Sequence, residues 1–409
     1  MKNVLVAVLA GGALLAPAVP AAAAPLPEVK PKAETPGLFD DAAGGNANAD
    51  DPAIWVNRRD PGRSLVLGTA KEGGLEVYGL NGKRVQHLAA PAAPGAGHEN
   101  GRYNNVDLVG DLAIVTDRGR GTLRFFSVDA KRRKPLKDVT VKRPPLLFDK
   151  TQAEVDEQRT PYGLAAWKTR GGTYALVSRR HSTTVALVRV VRTRKGVTSR
   201  LVRTLALPKT FALGGGRTWS PCLEPGEDPQ VEGMVVDTRK GVLYAAQEDV
   251  GIWRIPATLK GRPKLVERVR EFGTPAVYDP KTEECAPSGP NPGTGGTRLS
   301  ADAEGLTIYY GPRGRGYLLA SSQGDSTFAV FDLKSGRYLN GFRVGGKDGA
   351  QHSDGAAVTA APLGRSYPHG LLVVHDGENA PAVRDREGTN FKFVPWERVA
   401  KPLRLVWKR

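Results

Sequence analysis

The chain has 409 residues, a net charge of +17, two cysteines, 49 glycines and 31 prolines. The cysteines lack CxxC spacing, which excludes a zinc knuckle or a dithiol redox centre, and no stretch after the first 24 residues has 18 uninterrupted apolar positions, which excludes a membrane-spanning helix there. Many turn-forming residues and few helical patterns indicate an all-β protein.

The N-terminal residues predict export. A lysine near the start, a short apolar run and a small-residue stretch ending near Ala24 are typical of a secretory signal peptide over residues 1–24. Residues 25–37 are proline-rich and polar, which predicts a flexible linker. The remaining residues, 38–409, are expected to form one domain. We therefore expect a protein secreted after cleavage near Ala24.

A strand-and-turn unit occurs six times along the chain, at intervals of about 50 to 70 residues. Each unit opens on a polar residue, and a second strand, a turn and a third strand follow it. The openings lie at Asp50–Asp51, Asn104, Tyr162, Glu232, Glu304 and Asp354. This pattern predicts a six-bladed β-propeller with antiparallel four-stranded blades around a central channel. The sequence does not tell which terminus closes the ring.

Acidic residues recur at one topological position, where each first strand begins or each second strand ends. Since these positions meet at one end of the channel, their carboxylates are expected to form a ring that requires cations. Oxygen ligands of this kind favour Ca²⁺, and no histidine has zinc-ligand spacing. The acids are Asp50, Asp51, Asp107, Glu232, Glu248, Asp302, Glu304, Asp354 and Asp376.

Basic residues recur in the turn after the second strand of blades one to three. They are Lys71, Arg118, Arg179 and Arg180. Cations at one rim beside metal-binding acids predict a site for a polyanion, most simply phosphate. Tyr162 either hydrogen-bonds a ligand oxygen or packs in the core. A GxSxG motif is absent, which disfavours serine nucleophile chemistry.

The two cysteines, Cys222 and Cys285, lie in loops upstream of the fourth and fifth first strands. Because these are equivalent places in adjacent blades, and because an exported protein is exposed to oxidants, we predict a disulfide. The alternative is two free thiols.

Several strings resemble those of the β-propeller phytases. They are NADDPAIWV, YNNVDL, EGMVVD, QEDVGIW, DAEGLTIYY, SSQGDS and NFKFVPWERVA, in order along nearly the whole mature chain. The resemblance implies a six-bladed, calcium-dependent, exported phosphatase that hydrolyses phytate (myo-inositol hexakisphosphate) and its lower phosphates with several Ca²⁺ ions.

The resemblance also implies residue roles. The catalytic calcium ligands would be Asp50 or Asp51 with Glu232, Glu248, Asp302 and Glu304, and further calcium ligands would be Asn105, Asp107, Asp354 and Asp376. Lys71, Arg118 and Tyr162 match phosphate contacts of the cleavage site. Arg180, next to Arg179, matches a cation that holds a second phosphate. The chain departs from the family pattern at His181, Gln247 and His352, where acids are usual.

Rival functions remain open from the sequence. One is a different calcium-dependent propeller hydrolase, a lactonase or phosphotriesterase, although a basic rim suits neutral substrates poorly. Another is a non-catalytic propeller whose rim binds a polyanion. Nucleic-acid binding lacks a supporting motif or stacking platform, so we expect no nucleic-acid and no membrane partner. We expect a monomer.

Overall fold

The computed structural model describes residues 25–383 and 386–407, so the predicted signal peptide lies outside the described residues. Six mainly antiparallel sheets form the blades. Three short N-terminal strands come first: β1 Glu28–Val29, β2 Ala33–Glu34 and β3 Leu38–Phe39. Blades one to three contain β4 Pro52–Trp55, β5 Leu65–Thr69, β6 Leu75–Gly79 and β7 Arg84–Leu88; β8 Tyr103–Val109, β9 Leu112–Asp117, β10 Thr122–Val128 and β11 Leu136–Asp138; and β12 Pro161–Thr169, β13 Gly172–Arg179, β14 Thr184–Thr193 and β15 Gly196–Ala206.

The later blades are interrupted by two small hairpins. A first hairpin, β16 Phe211–Gly214 with β17 Arg217–Trp219, precedes blade four, and a second, β22 Ala276–Asp279 with β23 Glu284–Pro287, follows it. Blades four to six contain β18 Val231–Asp237, β19 Val242–Gln247, β20 Gly251–Pro256 and β21 Lys264–Arg268; β24 Ala303–Tyr309, β25 Tyr317–Ser322, β26 Thr327–Asp332 and β27 Tyr338–Val344; and β28 Ala356–Thr359, β29 Leu371–Asp376 and β30 Gly388–Pro395.

The six first strands form a closed ring. Strand β4 contacts β8, β8 contacts β12, and the contacts continue through β18, β24 and β28 back to β4. These strands enclose a channel cavity of about 240 Å³, lined by residues such as Ile54, Leu164, Met234 and Ile308. The prediction of a six-bladed β-propeller is therefore confirmed.

Apolar side chains fill the interfaces between blades. Leu67 and Val115 belong to one cluster between blades one and two, and Leu319 and Val374 belong to another between blades five and six. The period-2 alternation of the strands places these residues on sheet faces that stack against each other. Each blade is thus stabilised by its neighbours, as expected of a repeat fold.

The N-terminal segment closes the ring. Strand β2 pairs antiparallel with β30 and becomes the outer strand of blade six, while β1 adds a parallel strand to β27 at the edge of blade five. The flexible linker predicted for residues 25–37 differs from this arrangement. Backbone groups of this segment pair with the edge strands of two blades. These partners are distant in the sequence, so the local composition does not reveal the pairing.

Two further features complete the fold. Cys222 and Cys285 form a disulfide with their Cα atoms 6.0 Å apart, which confirms the predicted pair. The short helices are α1 Gln152–Asp156 and α2 Trp396–Ala400, with 3₁₀ turns at Ala42–Gly44, Pro61–Arg63, Arg118–Arg120 and Gln323–Asp325. Among the described residues, the helices are too short or too polar to cross a membrane.

Candidate active site

Four first strands carry a bulge at the same point, just after they begin. The pairing register shifts between Tyr103 and Val106 in blade two and between Val231 and Met234 in blade four. Corresponding shifts occur in blades three and five. A bulge re-aims the side chain it contains. The bulged positions include Asn104, Tyr162, Glu232 and Glu304.

Glycines next to the opening residues let the blades approach closely. They are Gly163, Gly233, Gly305 and Gly355. A Cβ atom at Gly163 would lie 2.1 Å from the carbonyl oxygen of Glu232, and one at Gly233 would lie 2.2 Å from that of Glu304. Only glycine permits such contacts. The opening residues of neighbouring blades are therefore packed against one another.

Three glutamates form the centre of the site. Glu232, Glu248 and Glu304 are 4%, 8% and 4% exposed, and each offers an oxygen within 4.8 Å of the other two. Glu248 Oε1 and Glu304 Oε2 are buried without a hydrogen-bond partner. Burial, and then the Asp354 charge, raises the pKa of Glu232 to about 7. A group of buried, mutually repelling carboxylates with unpaired oxygens fits a bound cation.

Two further acids belong to this cluster. Burial, followed by the charge of Asp354, raises the pKa of Asp302 to about 6. Asp354 accepts a hydrogen bond from Gln323 Nε2 at 2.6 Å. Burial, and then the charges of Glu232, Glu248 and Asp354, raises the pKa of Glu304. The structure thus brings the predicted acids of blades four, five and six together.

Asn104 connects the acids to the basic rim. Its Nδ2 donates to Glu232 Oε1 at 2.7 Å and its Oδ1 accepts from Arg118 Nη1 at 3.1 Å. Asn105, the neighbouring residue for which the resemblance predicts a calcium-ligand role, accepts a hydrogen bond at its Oδ1 from Asn104 Nδ2 at 2.9 Å. Asp50 lies on the same side, with its Oδ2 3.7 Å from Lys71 Nζ.

The basic side chains are crowded at the rim. Burial, and then the charges of Arg180 and Arg102, lowers the pKa of Arg118 to about 10. The Arg118 guanidinium also lies 5.5 Å from the centre of the buried Tyr162 ring. Arg102 was missed by the sequence analysis because it precedes a first strand rather than lying in the recurring turn. Mutually repelling cations at one rim favour an anionic ligand.

Arg179 does not share this position. Its Nη2 binds Asp149 Oδ1 at 3.0 Å, its Nε donates to the Arg159 carbonyl oxygen at 2.6 Å, and its guanidinium stacks near Phe148. Arg179 is the last residue of β13 and Arg180 the first of the turn that follows, so the two side chains leave the backbone in different directions. The structure brings Arg180 to the site and holds Arg179 away from it.

Asp51 and Asp107 lie deeper, along the channel. Asp51 Oδ2 accepts a hydrogen bond from Val106 N at 3.0 Å, and Asp107 Oδ2 accepts one from Ala166 N at 2.7 Å. Each carboxylate therefore bridges to the first strand of the next blade. Burial raises the pKa of Asp107 to about 6. These bridges join blades one, two and three below the rim.

Asp376 is paired with a lysine rather than placed in the glutamate cluster. Lys392 is fully buried, and its Nζ lies 3.1 Å from Asp376 Oδ2 and 2.6 Å from Glu34 Oε2 and also contacts Asp348. The ammonium group already supplies positive charge to these three carboxylates. The calcium role of Asp376 stays a prediction.

Comparisons with known proteins relate the chain to a family. A family model described as Phytase matches residues 2–208 and 291–405. The 3-phytase of Bacillus subtilis (strain 168) is 33% identical over 385 residues, which cover 89% of this chain and 83% of that protein. Among solved structures, the β-propeller domain of Myceliophteria thermophila Cps50 (Swd1) aligns over 83% of this chain and 82% of that one, with 11% identity and a TM-score of 0.39, too low to carry an argument.

Proposed function

The chain belongs to the phytase family, and on that premise we propose that it hydrolyses phytate to lower inositol phosphates and inorganic phosphate in a calcium-dependent reaction. One observation carries the proposal beyond family membership. The buried carboxylate cluster of Glu232, Glu248 and Glu304 lies beside the cations Lys71 and Arg118, and Asn104 joins the two groups. Carboxylates for metal ions next to guanidinium and ammonium groups form a phosphate site.

The donor set fits calcium. The side chains that would hold the ions near the substrate are Asp50, Glu232, Glu248, Asp302, Glu304 and Asp354. All of them present oxygen, and Glu248 and Glu304 each have a buried oxygen without a hydrogen-bond partner. When bound, calcium supplies charge neutralisation for phosphate oxygens and lowers the pKa of a bound water. Asp51, Asn105 and Asp107 are proposed as further ligands along the channel.

The protein's own residues would bind and orient the phosphate. Lys71 and Arg118 would stabilise negative charge on its oxygens, and Tyr162, whose ring lies beside the Arg118 guanidinium, would contact a phosphate oxygen. Asn104 fixes Arg118 relative to Glu232. Arg180 would hold a second phosphate of the same inositol ring. The carboxylates, the cations and Tyr162 are all largely buried, which strengthens their electrostatic interactions.

A second candidate, a propeller that binds polyanions without hydrolysis, rests on the same rim. A lactonase or phosphotriesterase is disfavoured because neutral substrates gain nothing from three clustered cations.

We further propose that the protein is exported and monomeric. The apolar leader and the Cys222–Cys285 disulfide support export, because disulfides persist in oxidising compartments.

Phosphate release from phytate by the purified mature protein tests the function. We expect release with added Ca²⁺ and none in EDTA, and we expect Glu304→Gln to lose turnover while remaining folded. Calcium-dependent thermal stabilisation without phosphate release from the wild type would reject the enzyme and favour the binding protein. A mass-spectrometric N-terminus near residue 25 on exported protein would support the predicted cleavage.

A further inference from the structure

Two loops on the site face are tied together by the disulfide. The disulfide rim comprises residues 207–230, which lead into blade four, and residues 269–299, which lead into blade five. Besides the Cys222–Cys285 bond, the Trp219 ring packs on Phe272 with centroids 4.6 Å apart, and Trp219 Nε1 donates to the Thr274 carbonyl oxygen at 2.9 Å. Much of this rim falls between the two segments that match the family model.

The rim contacts the basic side of the candidate site. The Glu227 carboxylate binds His181 Nδ1, Asp228 N donates to the His181 carbonyl oxygen at 3.4 Å, and Arg159 Nη2 donates to the Gly226 carbonyl oxygen at 2.6 Å. His181 follows Arg180 directly in the turn after β13. The rim therefore presents a carboxylate next to the residue proposed to bind a second phosphate.

The rim is also linked to the acidic cluster. Gln230 Oε1 accepts a hydrogen bond from His181 N at 2.9 Å, and Gln230 Nε2 donates to Glu248 Oε2 at 2.9 Å. The backbone on both sides of Glu227 is thus tethered, by the disulfide at Cys222, by the Arg159 hydrogen bond to Gly226 and by Gln230.

Glu227, in contact with His181, lies close enough to Arg180 and Arg159 for their charges to act on its carboxylate. Burial, and then the charges of Arg180 and Arg118, lowers the pKa of His181 to about 3, so the imidazole is neutral and donates a hydrogen bond without cancelling the carboxylate charge. Burial and Glu224 raise the pKa of Glu227, while Arg180 and Arg159 act in the opposite direction. The arginines are therefore the cations that this carboxylate offsets.

We propose that Glu227 is a specificity-determining residue whose carboxylate competes with the second phosphate of the substrate for Arg180. This inference rests on the proposed function and deepens it. In a substrate with several phosphates, the second phosphate is repelled by the Glu227 carboxylate when it binds Arg180. A monophosphate uses only Lys71 and Arg118 and does not approach Glu227. The disulfide rim would thereby weaken binding of highly phosphorylated inositols relative to simple phosphomonoesters.

The test compares two substrates in two isosteric variants. Glu227→Gln keeps an oxygen for His181 and removes the charge, and Glu284→Gln removes a charge from an exposed position of the same rim. We expect Glu227→Gln to lower KM for phytate by about threefold or more, the scale of an interaction between partly exposed charges, with KM for p-nitrophenyl phosphate and both kcat values unchanged. Glu284→Gln should change neither KM. Equal changes for both substrates, or none, in Glu227→Gln would overturn the proposal.

Two additional measurements separate this inference from the proposed function. Calorimetry measures the dissociation constant for phytate in the presence of Ca²⁺, so the competition can be detected even if the wild type releases no phosphate. Absence of phosphate release would reject the proposed hydrolysis but not the proposed role of Glu227. The double variant Cys222→Ser, Cys285→Ser should lower the dissociation constant for phytate without changing that for inorganic phosphate. If it folds and the two constants change together, the rim has only a structural role and the proposal fails.

Discussion

Replacing Glu232 with glutamine is expected to stabilise the metal-free protein above neutral pH while removing its activity. Burial, and then Asp354, raises the pKa of Glu232 from 4.5 to about 7. Each tenfold difference in proton affinity corresponds to about 1.4 kcal/mol, so the ionised carboxylate lowers the free energy of unfolding by roughly 3 kcal/mol. Glutamine keeps an oxygen for the hydrogen bond from Asn104 and carries no charge.

The sign of the pH dependence follows from proton binding. The folded protein holds this proton more tightly than the unfolded chain, so the contribution of Glu232 to stability is retained below pH 4.5 and is lost as pH rises to 7. In EDTA, Glu232→Gln and wild type should therefore unfold alike near pH 4.5, whereas at pH 8 the variant should be more stable. With an unfolding entropy of about 2.1 cal/mol/K per residue, 3 kcal/mol raises Tm by about 4 °C in a chain of this length.

Thermal unfolding of both proteins in EDTA, at the two pH values, provides the measurement. Glu76→Gln is the matched control, because Glu76 is also buried but binds His87 Nδ1 at 2.9 Å and Arg84 Nη1 at 3.4 Å. Its replacement should lower Tm. Added Ca²⁺ should stabilise the wild type more than Glu232→Gln. A Glu232→Gln protein that is less stable than wild type in EDTA at pH 8 would refute the view that cations are missing from this cluster.

Four other substitutions probe the rim and the ring closure. Arg180→Ala should raise KM for phytate but not for p-nitrophenyl phosphate, whereas Arg179→Ala should lower Tm and leave both KM values unchanged. Steady-state kinetics on both substrates provide the measurement. A raised KM for phytate in Arg179→Ala but not in Arg180→Ala would contradict the placement of Arg180 at the rim. Asn104→Ala should reduce kcat by about tenfold to a hundredfold, since it removes hydrogen bonds to charged groups worth about 1.5–3 kcal/mol; an unchanged kcat would remove Asn104 from the site. Lys392→Met leaves Asp376 without its buried partner and should cost about 3–5 kcal/mol in urea unfolding, and a smaller cost would show that the site rehydrates.

The sequence predicted the ring and most of the site because both repeat. The openings at Glu232, Glu304 and Asp354 occupy one position in successive blades, and that position alone places their side chains at one end of the channel. Local composition could not predict the N-terminal closure, because strand β2 is recognised as a strand only through its pairing with β30.

The choice between neighbouring residues was less predictable. Whether Asn104 or Asn105 faces the acids depends on a one-residue bulge in β8, and whether Arg179 or Arg180 reaches the rim depends on where β13 ends. Both are matters of register, and a shift of one residue reverses the face of a side chain. The ion pair of Asp376 could not be predicted from its position in the repeat, because its partner Lys392 lies on the neighbouring strand β30.

Closure by β2 also constrains the order in which the protein can be completed. Glu34 and its partner Lys392 are 358 positions apart, so the first strands to leave the ribosome pair with nearly the last. Such long-range pairing is slow to form and cannot occur on a partial chain. During synthesis, blade six and the edge of blade five stay open at their outer strands. A chain interrupted before β30 would keep an unclosed ring, and strands β2 and β3 would have no sheet edge to join, although β1 could still pair with β27.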